Sequence, residues 1–500
     1  MTITDLPGTG PASAPSPSGG HRFIGAHQLL ALLPALPSGT SAYRHLAQSV
    51  RTLVLEGRVA LHTRLPAERE LALVLRVSRP TVTAAYDLLR ESGYARSRVG
   101  SGTWTTLPDG VRPAGARKPP PLEDEGIDLA AAALGLPEEV LTGALQRSMP
   151  LIAERAHTPG YHPYGLPELR EAVAERCTRR GVPTRAEQVL ITSGAQQGLS
   201  LALALLASPG DRVLVENPTY PNALDAMRQA RLRIAPVPVS EEGWDVEIMR
   251  STLKQVVPRL AYLIPDFQNP VGALMPEEQR RELLRATRHS GTWLLVDETL
   301  TDIALDAATP PAFVSHAPPG GASHVLTMGS ISKSHWGGLR IGWLRAASSR
   351  VVSRLAELRV SMDMAGSVVD QLVAVSLLEE TERILPPRLE RIRAQREALT
   401  GALAQHLPGW TVHTPPGGLS LWADLGEPIA SSLAERVAGR GVRIESGARF
   451  GVDPGTHEHR LRIPYTLPPP VLREAVRRIA AALSDPAPLA SAVTRPHWVA

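Results

Sequence analysis

Apolar positions in the first hundred residues fall at helical spacing. Tyr43, Leu46, Val50 and Leu53 predict an amphipathic helix that ends near Gly57. Residues 68–75 predict a short helix, and Val77 and Ser78 a tight turn into a longer helix over 79–92. In that longer helix Val82, Ala85, Tyr86 and Leu89 form the buried stripe, and Ser78 is placed to cap the first turn. Arg79, Thr81 and Thr83 are left facing outward. Segments 94–98 and 101–105 flank Gly100 and predict a small β-ribbon. Helix, turn, helix and ribbon make a winged helix, a mainly α module.

Beyond residue 125 the period changes. Short Val, Leu and Ile runs at 189–192, 212–215, 260–264, 293–296 and 325–328 alternate with longer helical patterns. That alternation predicts an α/β fold with a mostly parallel sheet. Two stretches are poor in residues that could pack: the Pro, Ser and Gly-rich residues 1–21, and residues 107–125, which contain three consecutive prolines. The expected organisation is therefore a disordered tail (1–21), a winged helix (22–106), a linker (107–125), an α/β domain (126–484) and a C-terminal tail (485–500). No internal repeat is evident.

Composition agrees with a multidomain globular protein: 500 residues, 43% hydrophobic and 20% charged. Charge is uneven, at +7 over residues 1–118 and −3 over the rest. A basic N-terminal module suggests a polyanionic partner. The longest apolar stretches, 199–207 and 28–36, are too short or too Pro-broken for a membrane span, and residues 1–20 lack the pattern of a secretory signal. A cytoplasmic location is expected, with no membrane partner. The single cysteine, Cys177, excludes an intramolecular disulfide and a Cys-based metal cluster, and reads as a packing thiol. No metal is expected.

The chemistry centres on lysine, of which the chain has three: Lys118, Lys254 and Lys333. Lys333 lies in a Ser- and Gly-rich segment, SISKSHWGGLR (330–340), directly after the run at 325–328. A lysine that attacks a carbonyl must be partly desolvated, so that a neutral amine is available. Ser330 and Arg340 supply a hydroxyl and a guanidinium suited to a phosphate ester. A second phosphate-receiving element is ITSGAQQ (191–197). Its small residues Ser193, Gly194, Ala195 and Gln196 stand between a strand and a helix start, where backbone N–H groups converge. Asp297 ends the buried run at 293–296.

Residues 64–104 (RLPAERELALVLRVSRPTVTAAYDLLRESGYARSRVGSGTW) resemble the GntR family of winged-helix regulators along their whole length. The resemblance implies double-stranded DNA as partner. Arg69 and Arg79 would meet phosphates or a guanine edge, Ser78, Thr81 and Thr83 would line the start of the major-groove helix, and Gly100 and Ser101 would form the wing tip. The segment around Lys333 resembles the pyridoxal-phosphate lysine motif of class I and II aminotransferases, as found in the MocR subgroup of GntR regulators. The likeness runs over roughly 127–483 and implies a fold-type I domain.

By that resemblance Lys333 is the Schiff-base lysine, and Ser332 joins Ser330 and Arg340 at the phosphate. Tyr220 stacks on the pyridine ring, Asn269 in QNPVG donates to the phenolic oxygen, and Asp297 takes the ring nitrogen. Arg462 is the candidate for an effector carboxylate, with Arg460 as rival. Tyr161 is the candidate to reach a partner subunit's phosphate, with Tyr164 as rival. The family usually has a Tyr shortly after the Asp; this chain has Thr299 and Leu300.

Two functions fit these residues. One is a regulator of the MocR type: a homodimer that senses pyridoxal phosphate, a small amine or an amino acid and reads an operator with paired half-sites. The other is a genuine pyridoxal-phosphate-dependent aminotransferase carrying a DNA-binding domain, which the missing Tyr disfavours.

Overall fold

The computed structural model describes residues 22–34, 42–98, 102–108 and 126–485. Both tails, nearly all of the expected linker, and the wing-tip residues Gly100 and Ser101 lie outside the described residues.

The N-terminal module comprises β1 (Arg22–Phe23), α1 (Ala26–Leu32), α2 (Ala42–Leu55), β2 (Thr63–Arg64), α3 (Glu68–Leu75), α4 (Arg79–Glu91), β3 (Ala95–Arg98) and β4 (Gly102–Thr105). Val82, Ala85, Tyr86 and Leu89 of α4 are buried against Leu46, Val50 and Leu53 of α2, as the apolar spacing predicts. The Ser78 hydroxyl caps α4 by accepting from Thr81 N at 3.3 Å. Buried Tyr86 donates its hydroxyl to Pro66 O at 2.9 Å, tying α4 to the turn before α3. The ribbon β3–β4 is antiparallel, with Ala95 opposite Thr105. Leu107, expected at the start of the linker, packs on this module's core instead, and Pro108 lies against Gly93.

The remaining elements are β5 (Ile127–Leu129), α5 (Glu138–Arg155), α6 (Pro167–Arg179), β6 (Val189–Thr192), α7 (Ala195–Leu206), β7 (Arg212–Asn217), α8 (Pro221–Gln229), β8 (Arg233–Ser240), β9 (Gly243–Trp244), α9 (Val246–Val256), β10 (Leu260–Leu263), α10 (Glu277–Ser290), β11 (Trp293–Asp297), β12 (Val325–Ser330) and β13 (Gly342–Ala346). They continue with α11 (Ser349–Val360), α12 (Val368–Glu379), α13 (Thr381–His406), β14 (Thr411–Val412), β15 (Ser420–Asp424), α14 (Ala430–Ala438), β16 (Val442–Ser446), β17 (Arg460–Pro464) and α15 (Pro469–Leu483).

The main sheet has the order β6-β13-β12-β11-β10-β7-β8-β9. Its central strands β12, β11, β10, β7 and β8 are parallel, while β13 and β9 run against their neighbours. Helices cover both faces, so β6, β10 and most of β11 are buried throughout and their sequences are apolar runs rather than alternations. A second sheet, β14-β15-β17-β16-β5, forms a smaller lobe whose core includes Leu421, Ile444, Leu461 and Ile463. The sequence reading did not separate this lobe from the main sheet.

The winged helix docks on the larger domain through polar contacts. Asn217, at the end of β7, donates from Nδ2 to Gly57 O at 2.9 Å and accepts at Oδ1 from Val452 N at 3.0 Å. His457 N donates to Leu55 O at 2.7 Å, and Asp453 accepts from Arg22 and from Leu61 N, each at 2.9 Å. Gln28 Nε2 donates to Ser251 Oγ at 2.7 Å.

Gly57 has φ +64°, and a Cβ there would stand 2.3 Å from Asn217 Nδ2. Gly57→Ala should therefore add a clash at the contact to the backbone strain, about 1–3 kcal/mol in all. Gly210→Ala, at φ +91° with open space around the Cβ, should cost only the strain, about 1 kcal/mol. Limited proteolysis should separate the two modules faster in Gly57→Ala than in Gly210→Ala. Equal rates would show that this contact does not hold the modules together.

Candidate functional site

Strands β7, β10, β11 and β12 are parallel, so their carboxyl ends open on one side of the main sheet. There a cavity of about 600 Å³ forms, closed from the smaller lobe by Glu445 of β16 and Arg462 of β17. Ala195, Gln196, Tyr220, Asn269, Asp297, Ser330, Ser332, Lys333, Arg340 and Arg462, scattered over nearly 270 residues, all line it.

Lys333 sits on a single turn of π-helix, Ser332–Trp336, directly after β12. Its Nζ donates to Ala132 O at 2.8 Å. Burial pushes its pKa down to about 8; the guanidiniums of Arg462 and Arg340 act in the same direction, and Asp297 opposes them. Part of the population thus carries a neutral, nucleophilic amine near neutral pH.

Asp297, at the end of β11, accepts from the Tyr262 hydroxyl at 2.7 Å and from Thr299 N at 3.0 Å. Burial raises its pKa, while these hydrogen bonds and the Lys333 charge favour the carboxylate. Burial and the Asp297 charge hold the Tyr262 hydroxyl protonated, so it remains a donor. Sequence reasoning missed Tyr262. Its one signal was a phenol inside the apolar run at 260–264, where a buried hydroxyl needs a partner.

Glu216, another missed residue, is fully buried at the end of β7. It accepts from Trp244 Nε1 at 2.8 Å, Gln268 Nε2 at 3.1 Å and Ile264 N at 3.1 Å. Burial raises its pKa to about 7 against the pull of these donors. Gln268 in turn donates to Pro218 O and accepts from Val271 N, so Glu216 braces the turn that carries Asn269.

The phosphate candidates divide into lining and bracing roles. Gly194, with φ +79°, lets Arg340 approach: a Cβ would stand 2.6 Å from its Nη2. Arg340 Nη2 reaches Ser193 O at 3.4 Å, and the Ser193 hydroxyl donates to Asp363 at 3.1 Å. Ser193 and Gly194 therefore shape the wall without lining it. Ser330 Oγ donates to Ile341 O at 2.8 Å and accepts from Ser332 N at 3.0 Å, so it braces the loop from the cavity's edge. Tyr220 accepts at its hydroxyl from Asn222 Nδ2 at 2.8 Å.

Arg462 donates to Ala130 O from Nη2 and lies over Phe450, while its Nε is buried without a partner. Its rival Arg460 is committed elsewhere, to Glu241 at 2.5 Å and Asp424 at 3.3 Å. Thr299 and Leu300 also line the cavity. Tyr161 is 69% exposed and does not line the cavity, and Tyr164 lies beneath Arg170.

On the winged helix, Arg69, Ser78 and Arg79 are exposed. Thr83 does not face freely outward as expected. Its hydroxyl donates to Glu68 at 2.8 Å, a carboxylate that also lies 3.6 Å from Arg79. The Ser78 and Thr81 hydroxyls are 2.8 Å apart, engaged in the cap.

Among the described residues no group of His, Cys, Asp and Glu could hold a metal ion, and no helix is long and apolar enough to cross a membrane. Cys177 packs against apolar neighbours, and burial raises its pKa.

Residues 127–479 match the family described as aminotransferase class I and II, and residues 42–104 match the bacterial regulatory proteins of the gntR family. The chain is 28% identical over 463 residues to the uncharacterized HTH-type transcriptional regulator YisV of Bacillus subtilis, covering 87% of this chain and 94% of the relative. It is 29% identical over 442 residues to the probable rhizopine catabolism regulatory protein MocR of Rhizobium meliloti, covering 81% and 86%. Among solved structures it resembles LysN, an alpha-aminoadipate aminotransferase from Thermus thermophilus complexed with N-(5'-phosphopyridoxyl)-L-leucine. The TM-score is 0.67 at 29% identity, over 72% of this chain and 92% of that one.

Every neighbour of Glu216 donates to it, so Glu216→Gln would turn an amide N–H₂ toward a donor. It should lower stability by about 1–3 kcal/mol, read from the denaturant midpoint; an unchanged midpoint would show that the brace is not required. Reactivity of Lys333 toward an aldehyde probe should rise about ten-fold per pH unit and level off above pH 8. A rise that continues to the ordinary lysine range would rule out the depressed amine.

Proposed function

Because the chain belongs to the aminotransferase class I and II family and carries a gntR-family module at its N-terminal end, we propose that it is a DNA-binding transcription regulator of the MocR type, controlled by pyridoxal 5'-phosphate and a small amino compound. The observation that carries this reading is continuity of the chain: the segments that line the cavity at Tyr220 and at Arg449 and Phe450 also carry Asn217 and Val452, which seat the winged helix.

The residues present fit the cofactor. At Gly194, whose φ is +79°, a Cβ would crowd the Arg340 guanidinium at 2.6 Å, and Arg340, Lys333 and Asp297 line one cavity. Arg340, Ser332 and the backbone at the start of α7 would hold the phosphate. Tyr220 would lie against the ring, Asn269 would donate to its phenolic oxygen, and Asp297, kept in place by Tyr262, would hold the proton of its nitrogen. When bound, pyridoxal phosphate supplies a carbonyl that condenses with primary amines and a ring that withdraws electrons. Lys333 provides the amine that anchors it, and Arg462 is free at Nε to take an effector carboxylate.

Coupling to DNA follows from position. Tyr220 lies three residues after Asn217, and Arg449 and Phe450 of the cavity wall lie just before Val452. Asn217 joins both segments to Gly57. An effector that moves either wall loads this contact, and with it the winged helix. The exposed Arg69 and Arg79 would bind phosphate. A homodimer would present paired winged helices to paired half-sites, with the exposed Tyr161 available to a partner subunit.

The aminotransferase reading keeps one supporting observation: Lys333, Asp297, Arg340 and Arg462 all line the cavity. Sustained turnover of an amino donor and a keto acid at ordinary enzyme rates would favour it.

Borohydride reduction of the holoprotein should leave a covalent adduct on the peptide containing Lys333, read by mass spectrometry. Lys333→Ala should lose both the adduct and the response of DNA binding to added amino compounds at fixed salt, whereas Lys254→Ala should keep both. An adduct elsewhere, or a DNA response that survives Lys333→Ala, would overturn the sensing role.

A further inference from the structure

In the smaller lobe β16 and β17 are antiparallel, and Glu445 is the direct pairing partner of Arg462. Both line the cavity. Glu445 is 3% exposed, and its Oε1 is buried with no hydrogen-bond partner. Arg462 Nε is unpartnered in the same way. Buried polar atoms are normally satisfied, so an orphan acceptor beside an orphan donor in one wall marks a place that a ligand completes.

The nearby charges narrow the choice of ligand. Arg449 is paired with Asp225 at 2.9 Å, and Arg443 is paired with Asp128. Arg462 forms no ion pair among the described residues, and Glu445 is the carboxylate that acts on it most strongly. A carboxylate bound at Arg462 has Glu445 as its neighbour, and a second carboxylate on the same ligand would add like-charge repulsion in a desolvated site. A ligand whose side chain carries an ammonium, in addition to an α-amino group engaged at the cofactor, satisfies the orphan oxygen and the charge together.

We propose that Glu445 is a selectivity residue: it directs the cavity toward amino acids whose side chain bears a second ammonium or comparable donor, and against dicarboxylic amino acids. This deepens the reading of the cavity as an amino-compound site at Lys333 and rests on that reading.

The test uses the full-length holoprotein with L-ornithine, L-norvaline and L-glutamate as probes, reading the cofactor's absorbance and the heat of binding. Ornithine should bind at least about ten-fold more tightly than glutamate, with norvaline between them. In Glu445→Gln, isosteric but neutral, the ratio should fall to about two-fold, with ornithine weakened and glutamate strengthened. Glu445→Asp keeps the charge and should keep the order of the three probes.

If Glu445 merely braces the fold, Glu445→Gln will shift all three affinities alike, and the proposal falls. Tighter binding of glutamate than of ornithine by the unaltered protein overturns it without any variant. Failure of the broader reading looks different: the unaltered protein would then show no cofactor absorbance and bind none of the probes.

Discussion

The side-chain amide of Asn217 donates to Gly57 O in the winged helix and accepts from Val452 N behind the cavity wall. A fully buried amide leaves little freedom, because an unsatisfied donor or acceptor costs free energy in a dry interface. The chain on either side of it is consequential. Upstream lies Glu216 of the same strand, β7, and downstream lies Tyr220 in the cavity. The DNA-reading module is therefore seated partly on the segment that would contact a cofactor ring, and partly on α9 through Ser251.

Within the cavity, burial works in opposite senses on opposite charges. It lowers Lys333, assisted by two guanidiniums, and raises Asp297, whose hydrogen bonds from Tyr262 and Thr299 resist the shift. The result is an amine that loses its proton readily beside a carboxylate supplied with donors. Leu300 brings no hydroxyl where the family usually offers a Tyr nearby. A different phenol, Tyr262, acts on Asp297 from the adjacent strand β10.

Legibility in the sequence followed the range of the interactions. The winged-helix elements could be read because apolar spacing and a cap residue act within one or two turns, and α4 buries the residues that its spacing marks. The buried strands could be read because a strand covered on both faces must be apolar along its length. Tyr262 and Glu216 were harder, since a polar residue in such a run looks like noise until its partner is known. Glu445 gave no signal, because its significance comes from facing Arg462 across a strand pair. Thr83 shows a related limit: helical spacing points it outward, but spacing does not show that Glu68 of the preceding helix takes up its hydroxyl.

The sequence by itself determined the two modules, the family resemblances and the side chains able to serve a phosphate, an aldehyde and a ring nitrogen, since motif chemistry is local and ordered along the chain. Tertiary structure decided which of them share a wall, that Arg462 rather than Arg460 enters the cavity, that Ser330 braces its loop as well as lining the cavity's edge, and where the winged helix rests. Those outcomes depend on strand register, burial and competing hydrogen bonds between residues tens to hundreds of positions apart, and only a folded chain brings such residues within reach of one another.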